Sequence, residues 1–267
     1  MVIVDCHAHL SDELFHDVLS DMILDFQKED IFVISVGMNY KDFEEVVKIA
    51  TENKGSVGFG LGLHPIQCGK IDKRPLSVDD TTKLPDLLDK FSSSAICLGE
   101  CGLDFSKWLC PTSTERDMQR SALKVQIELS KKHNLPLNLH SRSAGKPLLD
   151  ILRQNHVEGA LLHAFDGGKK AIKQGVEDGH YFSIAPSIVR DPSQKQVATS
   201  VPLDRLVLES DSPALGPVKG QTNTPLNLLQ TVDCLADLLN CSKEHVIEVT
   251  TENALRLFPK LRDHIKL

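Results

Sequence analysis

The chain has no apolar run long enough to cross a membrane. Its longer runs, such as Ile31 to Val36 and Ala160 to Leu162, fall far short of the roughly 18 residues a span needs. The opening residues lack the basic segment and small-residue cleavage site of a secretory leader, so an intracellular protein, cytoplasmic or nuclear, is expected. A paired cysteine framework is missing as well. Seven cysteines, an odd number, stand scattered at 6, 68, 97, 101, 110, 234 and 241, which suits reduced thiols. Cys97 and Cys101, without a second pair, make a poor zinc framework. Positive charge is in short supply: a formal net charge of −7 excludes a globally basic nucleic-acid binder. An enzyme for a polyanion then needs only a local positive rim. No internal repeat or low-complexity linker interrupts the chain.

What is present is enough apolar material for one large core. The 267 residues, 41% hydrophobic, fit a barrel of about 250 residues better than two smaller domains. Eight short β-rich runs recur: Val2 to Asp5, Ile31 to Val36, Val57 to Leu61, Ala95 to Leu98, Leu137 to Leu139, Ala160 to Leu162, Tyr181 to Ile184 and Leu206 to Leu208. Between them, stretches such as Lys41 to Asn53 and Thr114 to His133 repeat apolar residues at helical spacing. The expected fold is α/β: a single (β/α)8 TIM-type barrel spanning residues 1–267 with an extra C-terminal helix. Thr224 to Leu239 supplies the eighth helix, and Ser242 is the expected N-cap of the extra one. Gln67 to Thr82, rich in Lys and Asp, is expected to form a loop over one edge of the pocket.

In such a barrel the site forms where strands end. Strand one runs into Asp5-Cys6-His7-Ala8-His9, strand three into His64, strand four into Glu100, strand five into His140, strand six into His163, and strand eight into Glu209-Ser210-Asp211. His7 and His9, two apart on extended backbone, point to the same side and clamp one ion. By the same parity Asp5 faces inward, where it fixes a neighbouring polar group. Cys6, of opposite parity, and Cys101 are structural. Four of these imidazoles with two of the carboxylates already exceed what one tetrahedral ion can use, while two divalent ions would need such a set. Mixed nitrogen and oxygen donors favour Zn2+ or Mn2+ over Mg2+.

The segments DCHAHL at the start, GLHP at 62–65, GECGLDF at 99–105, LHSR at 139–142, HAFDG at 163–167, ESDSP at 209–213 and TENALRLF at 251–258 resemble the TatD family, in order and over nearly the whole chain. The resemblance implies a divalent-metal-dependent deoxyribonuclease, with Mg2+ also among the metals. Its ligands would be His7, His9, Glu100, His140, His163 and Asp211, and Asp211 would take the proton from the attacking water. DNA, single-stranded or end-bound, is the expected substrate, with Arg142 and His64 as contacts and no obligate protein partner. Lys107, Lys146, Lys169, Arg190 and Lys219 follow strands and are candidate rim charges. Phe105, Trp108 and Phe165 are candidate base-stacking side chains, with core packing the better account of Phe165. The sequence departs from the family where an arginine often precedes Asn223 and Thr222 stands instead, and where Ser143 replaces an acidic residue.

Two other readings stand beside this one. An amidohydrolase- or phosphotriesterase-like hydrolase of a small ester, lactone or amide shares the barrel, although Glu100 stands where such enzymes carry a carbamylated lysine. A non-catalytic binding scaffold is the second alternative.

Overall fold

A computed structural model describes residues 1–68 and 72–265. The strands, in chain order, are β1 (Ile3–Ala8), β2 (Ile31–Gly37), β3 (Val57–Leu61), a hairpin of β4 (Ile66–Cys68) and β5 (Lys73–Pro75), then β6 (Leu98–Asp104), β7 (Leu137–Arg142), β8 (Leu161–Leu162), β9 (Tyr181–Ile184) and β10 (Leu206–Leu208). The helices are α1 (Leu19–Lys28), α2 (Phe43–Glu52), α3 (Leu84–Phe91), α4 (Ser113–His133), α5 (Gly145–Gln154), α6 (Lys169–Glu177), α7 (Pro192–Ser200), α8 (Leu228–Leu239) and α9 (Lys243–Leu257). Apart from the hairpin, the strands pair in parallel in the order β3-β2-β1-β10-β9-β8-β7-β6. A bridge between Gly60 and Cys97, with Ile96 N–H on Phe59 O at 2.8 Å, spans the remaining seam. Eight strands thus form a nearly closed barrel ringed by helices, as the alternating runs predict.

Local chemistry sets the helices. α2 buries Phe43, Val46, Ile49 and Ala50, a 3.6-residue stripe, and leaves Glu44, Glu45 and Lys48 outside. α4 begins with a capping box between Thr112 and Glu115 and ends at Asn134 in the left-handed region. Ser242 caps α9 as expected, accepting from His245 N at 3.1 Å. Among the described residues no helix is long and apolar enough to cross a membrane.

Two apolar layers hold the barrel together. Ile3, Val33, Leu98, Cys101, Leu139 and Leu208 belong to the layer between strands and helices. Val4, Cys6, Phe32, Ile34, Val36, Cys97, Leu161 and Val207 fill the inside, closed below by Leu255, Phe258 and Leu261.

These layers correct three expectations. Strand one continues to Ala8, and strand four runs Leu98–Asp104 rather than Ala95 to Leu98. Gly99 and the polar Glu100 look like a strand end in sequence, yet they are its middle. Asp5 pairs with Val33, which faces the helices, so Asp5 is on the outer side of β1 and not the inner. The parity argument fails because β1 gains a residue between Asp5 and Ala8, a bulge that returns His7 to the inside beside His9. The segment 67–82 is partly a hairpin followed by a 3-10 turn, pinned by Arg74 on Asp80 at 2.6 Å; residues 69–71 of that stretch lie outside the described residues.

Candidate metal centre

A second bulge, between Leu98 and Cys101, carries Glu100. The two most central side chains, His7 and Glu100, therefore both sit where an extra residue re-aims the strand toward the site. The bulged segment of β6 lies tight against β7. Gly102 adopts φ +145°, and a Cβ there would fall 2.1 Å from His140 O, so only glycine fits.

The strand ends converge as expected. His7 Nε2 and His9 Nε2 are 3.3 Å apart, and Asp211 Oδ1 lies 3.6 and 3.4 Å from them. Glu100 Oε2 is 3.8 Å from His7 and 3.5 Å from His9. Its other oxygen, Oε1, is 2.8 Å from both His140 Nδ1 and His163 Nε2. His64, expected only as a substrate contact, also points Nε2 at Glu100 Oε1, at 3.5 Å. Three groups of donors are close enough to share an ion: His7, His9 and Asp211; His7, Glu100 and His163; His64, Glu100 and His140. Cys6 and Cys101 are buried and belong to none of them.

Backbone and polar groups stand behind the four imidazoles. His7 Nδ1 is 2.8 Å from Asn138 Oδ1, and His9 Nδ1 is 3.3 Å from Val36 O. Asp104 Oδ2 lies 3.5 Å from His140 Nε2, and Glu209 Oε2 lies 3.3 Å from His163 Nδ1. Asp5 touches no ligand imidazole. Its Oδ1 accepts from the backbone N–H of His7 and of Ser210, at 3.2 and 2.8 Å, and so ties the two ligand-bearing chain ends together. Asn223 holds the Asp211 loop by donating to Ser210 O at 2.7 Å, while Asp211 itself keeps φ at +51°. The sequence reading missed Asn138, Asp104, Glu209 and Asn223 as partners. For Asn138, Asp104 and Glu209 the only signal was position, two to four residues from a ligand; Asn223 stands twelve residues beyond Asp211.

Electrostatics follow from packing ionisable groups in a buried centre. Burial opposes charge on Glu100, but the imidazoles of His64, His163 and His140 hold its carboxyl well below the ordinary value. Burial also works against Asp211, which His9, His163 and His7 nonetheless keep low. Burial, with the neighbouring His163, drives His7 down to about 3. His9 resists burial and rises to about 9 on its contacts with Asp211 and Glu100. Asp5, outside the ring, is pushed up to about 8, chiefly by burial. Two carboxylates and the surrounding imidazole nitrogens, their donor atoms gathered within 4.8 Å of one another in each group, suit divalent cations.

The centre forms the floor of a cavity of about 540 Å³. His64, Arg142, Met38, Pro213, Ala214 and Leu215 are among its walls. Among the described residues its lysine and arginine side chains are Arg142 and Lys73, the latter from the hairpin; none of Lys107, Lys146, Lys169, Arg190 and Lys219 lines it. Phe165 is fully buried against Phe182, so it packs the core, and Phe105 is buried too. Trp108 is 60% exposed and lies outside the cavity wall.

Comparison with known proteins decides the family. A family model described as TatD related DNase matches residues 4–259. The chain belongs to the TatD family. Human deoxyribonuclease TATDN3 is 39% identical to this TatD protein over 262 residues, 97% of this chain and 96% of the human one. The Escherichia coli K12 protein YcfH, named an uncharacterized metal-dependent hydrolase, is 29% identical over 268 residues, covering 97% and 96% of the two chains. The solved structure of YjjV, a TatD homologue from Escherichia coli, shares the fold with a TM-score of 0.84 at 23% identity, over 96% of this chain and 98% of that one.

Proposed function

We propose that this TatD-family hydrolase cleaves phosphodiester bonds of DNA and holds two divalent ions through His7, His9, Glu100, His140, His163 and Asp211. The observation that carries the reading is the division of one carboxylate: Glu100 Oε2 faces His7 and His9, and Oε1 faces His140 and His163. A pair of ions about 3.5–4 Å apart calls for such a bridge. Zn2+ and Mn2+ suit the mixed donors best. When bound, the ions lower the pKa of an attacking water and neutralise charge on the phosphate.

The rest of the chemistry belongs to the chain. Asp211 is 13% exposed at the cavity floor, so its carboxylate both faces His7 and His9 and can receive a proton from water in the cavity. Arg142 is 57% exposed and only 3.7 Å from Asp104 Oδ2, a loose contact it can exchange for a phosphate. His64 stands beside Glu100, placed to donate to a phosphate oxygen. The deoxyribonuclease relative at 39% identity supports DNA as substrate. A centre at the floor of a cavity of about 540 Å³ favours a single strand or an end over a continuous duplex.

The test is cleavage of end-labelled single- and double-stranded DNA by the purified protein, with and without chelator, beside small ester, lactone and amide substrates. Chelator-sensitive DNA cleavage, faster on single strands or ends, is expected. Turnover of the small substrates alone, or cleavage indifferent to chelator, overturns the proposal.

A further inference from the structure

Glu209 has no part in the chemistry above, yet it is fully buried two residues before Asp211. A buried carboxylate needs partners. Its Oε1 accepts from Ala164 N at 2.9 Å, and its Oε2 faces His163 Nδ1 at 3.3 Å. On the far side of the same ring, His163 Nε2 meets Glu100 Oε1 at 2.8 Å.

We propose that Glu209 is the positioning residue for His163: its Oε2 accepts a hydrogen bond from Nδ1–H and so leaves the Nε2 lone pair for an ion shared with Glu100. A neutral imidazole has one N–H and one lone pair, and the partner of one nitrogen decides what the other offers. The ring has little other freedom. It stacks on His7 with centroids 3.8 Å apart and planes 6° apart, and its backbone N–H is tied to Leu139 O at 3.1 Å. Glu209 is itself anchored to β9 through Ile184 O at 3.2 Å.

The choice of a carboxylate here follows from counting donors. Ala164 N–H donates to Oε1 and His163 Nδ1 faces Oε2 at 3.3 Å, so a carboxylate offers one acceptor oxygen to each. A carboxamide has one acceptor oxygen, so a glutamine would set its own N–H against one of the donors. Asn138, which serves His7 with a neutral oxygen, meets only one ring nitrogen. The charged partner makes His163 the more basic donor of the two.

This inference rests on His163 being a metal ligand, and the experiment separates the two claims. Zn2+ alone is titrated into wild type, Glu209→Gln, His163→Ala and the double variant. Glu209→Gln should weaken Zn2+ binding by roughly 10- to 100-fold. His163→Ala should weaken it at least as much, and the double variant should match His163→Ala, since Glu209 acts only through that ring. Losses that add in the double variant mean a merely structural role and overturn the proposal. If His163→Ala weakens binding and Glu209→Gln does not, positioning fails while the ligand assignment survives. If His163→Ala changes nothing, the ligand assignment fails and the positioning role falls with it. The wild-type protein gives a readout that needs no variant to fold: in Zn2+-loaded, ¹⁵N-histidine-labelled protein, the His163 ring should carry a slowly exchanging proton on Nδ1. Finding metal on Nδ1 of His163, with the proton on Nε2, overturns the proposal.

Discussion

Asp211→Asn is the substitution that best separates holding an ion from moving a proton. Asp211 Oδ1 lies 3.4 Å from His9 Nε2 and 3.6 Å from His7 Nε2, so an asparagine oxygen can occupy the same place as a ligand. The amide nitrogen that replaces the second oxygen cannot accept a proton. The shape is kept: Asp211 N–H bonds to His7 O at 2.9 Å, and Asn223 holds the preceding carbonyl at 2.7 Å, both through backbone atoms that the change does not touch. Fold and at least one ion should therefore remain while proton acceptance is lost. General-base catalysis is worth roughly 10²- to 10⁴-fold, about 3 to 5 kcal/mol at 1.36 kcal/mol per decade. The assay is single-turnover cleavage of a labelled single strand, with metal content and substrate affinity measured on the same preparation. A rate within a few-fold of wild type refutes the assignment of the base. Weakened metal binding with unchanged chemistry per loaded molecule refutes it differently, by making Asp211 a ligand and nothing more.

Other consequences are equally measurable. Glu100→Gln weakens the donor shared by both imidazole sets, so metal content by elemental analysis and activity should fall together; activity lost at full metal content argues against a bridge. Gly102→Ala places a Cβ 2.1 Å from His140 O at φ +145° and should destabilise the fold by about 3–5 kcal/mol in urea titration. Phe165→Ala, from a fully buried site against Phe182, should cost about 3–5 kcal/mol of stability and leave DNA affinity of the folded fraction unchanged; a specific rise in KM would instead make the ring a substrate contact. Asp80, clamped by Arg74, has its pKa lowered from 3.8 to about 2. Because the folded value is the lower one, the clamp stabilises at pH above about 4 and fades as pH falls toward about 2. With Arg74 42% exposed, about 1 kcal/mol survives solvent screening, so Arg74→Ala should destabilise by that much at pH 7 and by roughly half at pH 3 in denaturant melts.

The barrel was legible because its strands are short apolar runs and its helices keep a 3.6-residue stripe, as Phe43, Val46, Ile49 and Ala50 do. The convergence of His7, His9, Glu100, His140, His163 and Asp211 was legible too, since polar residues after apolar runs collect at one mouth. What failed was parity. A bulge has no sequence period, so the extra residue in β1 turned Asp5 outward unseen, and the one in β6 placed Glu100 within a strand that seemed to end at Leu98. Partners such as Asn138 and Glu209 were invisible for a related reason: hydrogen bonds across 131 and 45 residues, like those of Asn138 to His7 and Glu209 to Ala164, depend on register between strands. Rim charge was misjudged because Lys73 reaches the cavity from a hairpin read as a loop, whereas the lysines after the strands point elsewhere.

The central claim is the shared carboxylate, and a crystal structure of the protein loaded with Mn2+ or Zn2+, with anomalous scattering to count the ions, tests it most directly. Two ions about 3.5–4 Å apart are expected, with Glu100 bridging them, His7, His9 and Asp211 on one and His140 and His163 on the other. One ion alone, or fewer than four of these six residues within about 2.5 Å of metal, contradicts it.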